Sequence, residues 1–500
     1  MAKKSIIGTK SRASAIKGVE QLVGKDGIVR NSLGCFGMNG GFEKGGPHVS
    51  NDGYTLSKEF CEGIKDEFER FGAKLVHESA AKTNDQVGDA TTTSEILAYE
   101  IIQEVNKLLP QEGIIGSKKK PSEIISQLKK EKEEVIKKLE KLATPIETEK
   151  ELINSAKVSV EDEELAKLIG EAQWKIGKDG VIIAEETAEY NSSVEYVKGI
   201  KFDNGYGTSM VINNPEKQTL EVSDCQVIMT NYVIQTLQPL LSVMNALAST
   251  GKKLIIIGRA FSEQAIKECK ANFDAGFAIY PINAPYTAQN EIMKDLEVVL
   301  GGKYIDIEGG KKLEDVTVED VGFASKIIAK RFDAVIAGTD KDVKPRISEL
   351  KKALKGSVSE FEKKMLQSRI SQLQNGFAVL HIGAETDVER KRKKDKADDA
   401  VQAVRLAYQG GTVKGAGLAF KEVAENMPDD SLLKKPLQSI YSQIMLSAPQ
   451  GFKVEEWVRD SYLVLVSALT NAVSVAGVFS GINGLVVEEN KKQNCSNNNE

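Results

Sequence analysis

Gly88-Asp89-Ala90-Thr91-Thr92-Thr93 is the stretch whose residue types and order could do chemistry. It runs directly into Ser94-Glu95-Ile96-Leu97-Ala98-Tyr99-Glu100-Ile101-Ile102, where apolar residues recur three and four apart, the spacing of a helix. Gly88 permits a tight turn. The threonines fall on the first helical turn, whose amides have no partner inside the helix. Those amides, the helix dipole and three hydroxyls suit a polyphosphate. Asp89 adds a hard oxygen donor where a phosphate-bound Mg2+ would need one. No Gly-Lys-Ser/Thr follows, so this is not the common P-loop. In isolation, a Thr-rich cap on a core helix would look the same.

The elements that must position this loop are mostly helical. Residues 12–30 and 56–80 read as amphipathic helices, and 94–109 as a helix stopped by Pro110. After a break at Lys118-Lys119-Lys120-Pro121, Ile124, Ile125, Leu128, Val135, Leu139 and Leu142 recur at helical spacing. The basic residues among them form a solvated helix face rather than a binding patch. From about Val181 the pattern changes. Val181-Ile182-Ile183-Ala184, Val227-Ile228-Met229 and Leu254-Ile255-Ile256-Ile257 are short apolar runs that read as buried strands. Helical stretches at 236–249 and 262–272 lie between them. After Phe361 long helices return around a strand-like run at 377–382. The order is helical, then α/β, then helical: a multidomain α and α/β chain.

Composition narrows the functional classes. Five hundred residues predict two to four domains. A net charge of −5 argues against a general nucleic-acid-binding role. The five cysteines form no Cys-x-x-Cys pair, which predicts free thiols in a reducing, cytoplasmic compartment. His48, His77 and His381 are too far apart to suggest a local metal motif. Ser461–Val487 is uncharged for 27 residues, long enough to span a bilayer. Its asparagines, serines and glycines favour a buried helix followed by a short strand, with no membrane role. The tail from Lys491 to Glu500 is Asn-rich and reads as disordered.

Asn84–Thr93 closely resembles the phosphate loop of the group I chaperonins, the bacterial GroEL type. Three further elements follow in that family's order. Ser50-Asn51-Asp52-Gly53-Tyr54-Thr55-Leu56 is similar to "T-K-D-G-V-S-V", Gly383–Glu389 to "G-A-A-T-E-V-E", and Asp398-Asp399-Ala400 with Ala403 and Arg405 to "E-D-A-L-H-A-T-R". Gly199–Tyr206 and Ile212–Pro215 resemble "G-M-Q-F-D-R-G-Y" and "I-N-K-P". The likeness runs from about Gly18 to Val487. It implies a chaperonin-like fold: a helical equatorial ATP-binding domain from residues 1–135 and 410–500, a small intermediate hinge domain from 136–197 and 378–409, and an α/β apical client-binding domain from 198–377. The long helical lid of archaeal and eukaryotic chaperonins has no counterpart.

The resemblance also implies roles. Asp89 would hold Mg2+, Asp52 would orient the attacking water, and Asp399 would complete the site from the intermediate domain. Ser32, Leu33 and Gly34 would contact nucleotide along with Gly88, Asp89, Ala90 and Thr91–Thr93. Gly415, Ala416 and Asp460 would lie near the ribose. Tyr206, Met210, Val211, Leu241, Met244 and Ile266 match client-binding positions, which require exposed apolar surface. The implied function is an ATP-dependent chaperonin, a Mg2+-dependent ATPase that assists folding of non-native polypeptides in a homo-oligomeric, sevenfold ring. K+ is a further candidate cofactor and a co-chaperonin lid a further candidate partner.

The chain departs from the family pattern at informative places. Ala90 and Ala416 replace glycines, Cys35 replaces a proline, and Asn51 replaces a lysine. A methyl at position 90 costs little at negative φ and strains the loop at positive φ. The segment between Leu446 and Trp457 is short, and the Asn-Ala pair that borders adenine has no match, so looser base recognition is expected. Lys270 and Ala271 stand where the family is apolar. The alternative is a structural or holdase oligomer that kept the fold without hydrolysis.

Overall fold

The computed structural model describes residues 3–43, 46–110, 119–160, 162–178, 180–215, 218–248, 251–287, 289–338, 342–357 and 359–488. The Asn-rich tail and Cys495 lie outside the described residues. The sixteen α-helices in those residues begin with α1 (Thr9–Val23), α2 (Gly53–Gly63), α3 (Glu67–Val87), α4 (Thr91–Asn106), α5 (Pro121–Leu142), α6 (Glu149–Ser159) and α7 (Glu163–Ile176). The middle of the chain carries α8 (Leu241–Ala248), α9 (Glu263–Asp274), α10 (Gln289–Leu300), α11 (Lys344–Gly356) and α12 (Glu360–Asn375). Then follow α13 (Asp387–Gly410), α14 (Leu418–Glu425), α15 (Lys434–Ser447) and α16 (Tyr462–Ser480). The chain divides into two compact units. One comprises residues 1–171, 186–192 and 382–500, the other 172–185 and 193–381.

The first unit is built around α16, which packs on α3, α4 and α5. Its residues Leu465, Leu469, Ala472, Val473, Ala476 and Phe479 are buried at helical spacing. Nothing on this helix is charged. It is long and apolar enough to cross a membrane by length and composition, yet it is mostly buried in the unit. The strand Gly484–Glu488 follows it and pairs antiparallel with Lys3–Ile7. Facing α16, α4 buries Ile96, Leu97, Ile101, Ile102 and Val105. The periodicity of 56–80 hides a break. Asp66 caps α3, its Oδ1 accepting from the amides of Phe68 and Glu69 at 2.9 Å, so α2 and α3 are separate helices.

The second unit is α/β. Its main sheet runs, from one edge, through Ile279–Asn283, Lys253–Gly258, Leu220–Thr230, Gly322–Ala329, Asp333–Ala337 and Gly199–Asp203. The first three strands are parallel and the rest antiparallel, with Tyr304–Ile305 added parallel to Leu220–Thr230. Unbroken apolar runs explain the parallel part: Leu254, Ile255, Ile256 and Ile257 are all fully buried because both faces are covered. A three-stranded sheet of Ile182–Glu186, Phe377–Ile382 and Ser193–Val197 lies in this unit except for its end residues Glu186 and Ile382.

Candidate functional site

The site lies in the first unit, where the ends of three helices meet. Asp52 is the N-cap of α2. Its Oδ1 accepts from the Tyr54 amide at 3.3 Å and its Oδ2 from the Thr55 amide at 2.8 Å. Thr91 at the start of α4 donates from Oγ1 to Asp52 Oδ1 at 3.3 Å, joining the two helix N-termini. Gly53 lets them approach. A Cβ there would sit 2.3 Å from Thr92 Oγ1 and 2.8 Å from Thr92 N.

The loop between α3 and α4 is three residues long. Gly88 closes α3 in the left-handed conformation, φ +69°, with its amide donating to Asn84 O at 3.0 Å. Ala90 precedes α4, also left-handed, at φ +58° and ψ +27°. Position 90 is therefore the strained case, not the tolerant one. Its methyl packs against the cluster of Val87, Leu406 and Val464. No side chain caps α4, so the first-turn amides point outward beside the hydroxyls of Thr92 and Thr93.

Asp89 sits between these termini, accepting at 2.5 Å from the Ala90 amide and at 3.4 Å from Ser159 Oγ at the end of α6. Lost hydration chiefly raises its pKa, while the Ala90 amide and the charge of Lys396 oppose that rise. Asp399 projects from α13. Lost hydration, then the fields of Asp52, Asp89 and Asp398, push it well above the usual carboxylate range. Asp460 is raised to about 7, by lost hydration first and by Asp89 second, against a hydrogen bond from the Ala416 amide. Asp52, Asp89 and Asp399 thus lie within electrostatic reach of one another, and Asp460 within reach of Asp89. All four remain half-buried, so the cluster is open to a ligand.

Asp460 lies on the strand Arg459–Ser461, paired with Thr412–Lys414, which presents it to Gly415 and Ala416. Asp460 Oδ1 is 3.0 Å from where a Cβ on Gly415 would be. Ala416 is left-handed at φ +54°, the second alanine strained at a position the family gives to glycine. In the Ser32-Leu33-Gly34 turn, Gly34 adopts φ +74° and Ser32 Oγ donates to Val29 O at 2.9 Å, so that hydroxyl is already committed.

The arrangement suits a Mg2+–polyphosphate. Uncapped amides and hydroxyls lie where phosphate oxygens could be bound, and Asp89 offers a hard oxygen donor beside them. Among the described residues no three His, Cys, Asp or Glu side chains form a metal-holding cluster. Sequence reading missed Ser159, Lys396 and Gln402. The last packs against Gly88, 2.9 Å from where a Cβ would be. The only sequence signal for Lys396 and Gln402 is that they share α13 with Asp399, and Ser159 on α6 has none.

The residues expected to bind clients lie in the second unit and divide. Met210 is 59% exposed and Leu241 47% exposed. Tyr206, Val211 and Ile266 are half-buried. Met244 does not belong with them: it is 4% exposed and packs in the core with Ile228, Leu254 and Ile256. Three residues along α8 turn it about 60° from Leu241, onto the face that also buries Val243 and Leu247. Exposed Phe273 on α9 and Val233, which the sequence did not single out, add to the apolar surface of this unit.

A sequence model of the TCP-1/cpn60 chaperonin family matches residues 26–448. Among solved structures, the chaperonin gp146 from the bacteriophage EL 2 (Pseudomonas aeruginosa), crystallised in presence of ATP-BeFx, is similar in two crystal forms. Form II gives a TM-score of 0.67 and form I 0.61, each at 17% identity over 97% of this chain and 99% of that one. At that identity the structural likeness speaks for the fold, and the family match spans most of the chain. The chain is a divergent member of the TCP-1/cpn60 chaperonin family.

Proposed function

We propose that the protein is an ATP-dependent chaperonin whose nucleotide site is the meeting point of α2, α4 and α13. The observation that carries this reading is the juxtaposition of an uncapped, threonine-lined helix N-terminus with the interacting carboxylates Asp52, Asp89 and Asp399. The first-turn amides and Thr91–Thr93 hold the β- and γ-phosphates. Asp89 would hold Mg2+, which would supply charge neutralisation to the phosphates when bound. Asp52 orients the attacking water and Asp399 accepts its proton. Gly415, Ala416 and Asp460 face the ribose, and Ser32, Leu33 and Gly34 flank the nucleotide. The neighbouring gp146 was crystallised in presence of ATP-BeFx, which supports a nucleotide here.

The three-domain division expected from the sequence is part of this proposal, with equatorial 1–135 and 410–500, intermediate 136–197 and 378–409, and apical 198–377. A base carried on the intermediate strip makes hydrolysis conditional on domain closure. The protein works as a homo-oligomeric, sevenfold ring in the cytoplasm. It captures non-native chains on Met210 and Leu241 with Tyr206, Val211 and Ile266 beside them, and K+ and a lid protein are candidate accessories. Phosphate release measured with and without Mg2+ tests the reading, and absence of Mg2+-dependent turnover refutes it. One observation favours a second reading, a non-hydrolysing holdase: both Ala90 and Ala416 are strained at the nucleotide cradle. Nucleotide binding without phosphate release would select it.

A further inference from the structure

Directly beneath the phosphate loop is a buried polar cluster that the proposed chemistry does not use. Glu95 lies one turn into α4 from Thr91 and is fully buried. Neither of its carboxyl oxygens makes a hydrogen bond of ordinary geometry. Its Oε1 is 3.9 Å from Nδ1 of His77 on α3. The same Nδ1 is 2.6 Å from Oγ of Ser57 on α2, and Ser57 Oγ donates to Tyr54 O at 3.1 Å. The His77 ring stacks on Tyr54, centroids 5.3 Å apart. One side chain from each of the three helices α2, α3 and α4 thus meets at one point, and Asp52 is five residues from Ser57 at the start of α2.

A serine, a histidine and a glutamate suggest a hydrolase triad, but the geometry forbids one. Serine and glutamate both approach the same ring nitrogen, and Ser57 is fully buried. A nucleophile needs its base on one nitrogen and the orienting acid on the other. What the cluster can do is store a proton. An ionised carboxylate with no hydrogen-bond donor is expensive to bury, so the group stays neutral while the site is intact.

We propose that Glu95, as the neutral acid, and the hydrogen-bonded pair Ser57–His77 form a protonation-dependent brace that positions Asp52 and the Thr91–Thr93 turn. This rests on the nucleotide reading of that turn. Glu95 then donates toward Ser57, which is hydrogen-bonded to a neutral His77. Ionisation of Glu95 places a charge between α2 and α4 next to Asp52 and spreads the two N-termini. The environment agrees. Lost hydration raises Glu95 well above the ordinary range, with Asp52 adding to this and Ser57 opposing it, and lost hydration lowers His77. The charged groups acting on the pair are Asp52 and Lys58 from the α2 side and Lys74 and Glu78 from α3, and Glu95 in turn acts on Cys61 of α2. Of the other elements against α4, α16 carries no charge. Arg30 is committed to Glu100 and Val23 O, Arg12 to Asn106 and Pro110 O, and Lys435 lies by Glu104, all farther along the helix or on its other side.

Two measurements test the brace. The chain has three histidines, so the His77 ring can be assigned by NMR in the wild-type protein with His77→Gln as reference. A neutral ring at neutral pH is expected. An imidazolium there overturns the proposal, because ring and carboxyl would then be an ion pair. The second measurement compares wild type with Glu95→Gln, which keeps the shape without the charge. Wild-type ATP turnover should fall about fivefold from neutral to alkaline pH, and the variant's less than about twofold. Coincident pH profiles overturn the brace alone. A wild-type protein without turnover refutes the nucleotide reading, and the brace's role with it. Should Glu95→Gln not fold, the wild-type ring measurement still decides.

Discussion

Replacing Gly53 with alanine separates helix stability from site geometry. On propensity alone the change favours α2, since alanine exceeds glycine by about 1 kcal/mol inside a helix. The structure opposes it. The new Cβ would lie 2.3 Å from Thr92 Oγ1 and 2.8 Å from Thr92 N. The hydroxyl can rotate away, but the backbone nitrogen cannot. Restoring ordinary contact needs a shift on the order of 0.6–0.7 Å between the starts of α2 and α4. Overpacking of this kind costs roughly 1–3 kcal/mol, so net stability falls by about 0–2 kcal/mol. The effect on chemistry is larger, because Asp52 and Thr91 are joined across that contact by a 3.3 Å hydrogen bond. A misplacement approaching 1 Å costs on the order of 10²-fold in rate. Steady-state ATP turnover and thermal melting of the same preparation are the assays. Wild-type turnover in a folded Gly53→Ala protein would show that the two N-termini do not form one site.

Asp399→Ala should bind nucleotide nearly normally and hydrolyse it on the order of 10²-fold more slowly; wild-type turnover in that variant removes Asp399 from the mechanism. Because Asp399 must be ionised to accept a proton and its pKa is held well above the ordinary range, turnover should rise with pH over a limb displaced upward from that of a free carboxylate. A flat profile from pH 5 to 8 contradicts this. Asp460, raised to about 7 from 3.8, contributes stability that is complete below about pH 3.8 and lost as pH rises through about 7. Asp460→Asn should therefore melt higher than wild type above neutral pH without Mg2+ and nucleotide, and a variant that melts lower there opposes the assignment. Changing Met210 and Leu241 to Ser should abolish capture of a denatured protein with the fold intact, each burying about 1.5–3 kcal/mol of apolar side chain when fully covered. Met244→Ser should instead lose about 2–5 kcal/mol of stability; unimpaired melting would return Met244 to the surface.

How far the sequence carried the reading depends on the physics at each place. The α4 start was legible because its signal is local: a glycine, three threonines and a 3.6-residue apolar pattern all fall on one stretch. The alternation of helical and α/β regions was legible for the same reason. The break between α2 and α3 was present as Asp66 and Glu69 at capping spacing, but periodicity through Leu56, Phe60, Ala73 and Val76 masked it. Burial of Met244 was not legible, since α8 is apolar on most of its surface and only packing chooses the inner face. The Ser57–His77–Glu95 cluster could not be read at all. Its members are 20 and 18 residues apart and share no motif; only the packing of three helices unites them.

The two strained alanines bear on what this divergent chaperonin has changed. A left-handed alanine costs roughly 1–2 kcal/mol relative to a right-handed one, and a site relieved of it by one substitution to glycine should not keep it without return. At position 90 the return is visible: the methyl packs against the cluster of Val87, Leu406 and Val464, tying the phosphate loop to α13 and α16. Glycine would keep the conformation and lose the tie, gaining relief while losing at most about 0.8 kcal/mol of methyl burial and adding about 0.4–1 kcal/mol of unfolded-state entropy. Those terms nearly cancel, so Ala90→Gly should leave the melting temperature within a few degrees of wild type. Its effect should fall instead on the loop, because α13 carries Asp399. A loop no longer pinned to that helix holds nucleotide and base in a less constant relation, and turnover should drop more than affinity. Equal losses in both would mean that the methyl serves binding alone, and that the contact between loop and α13 has no part in hydrolysis.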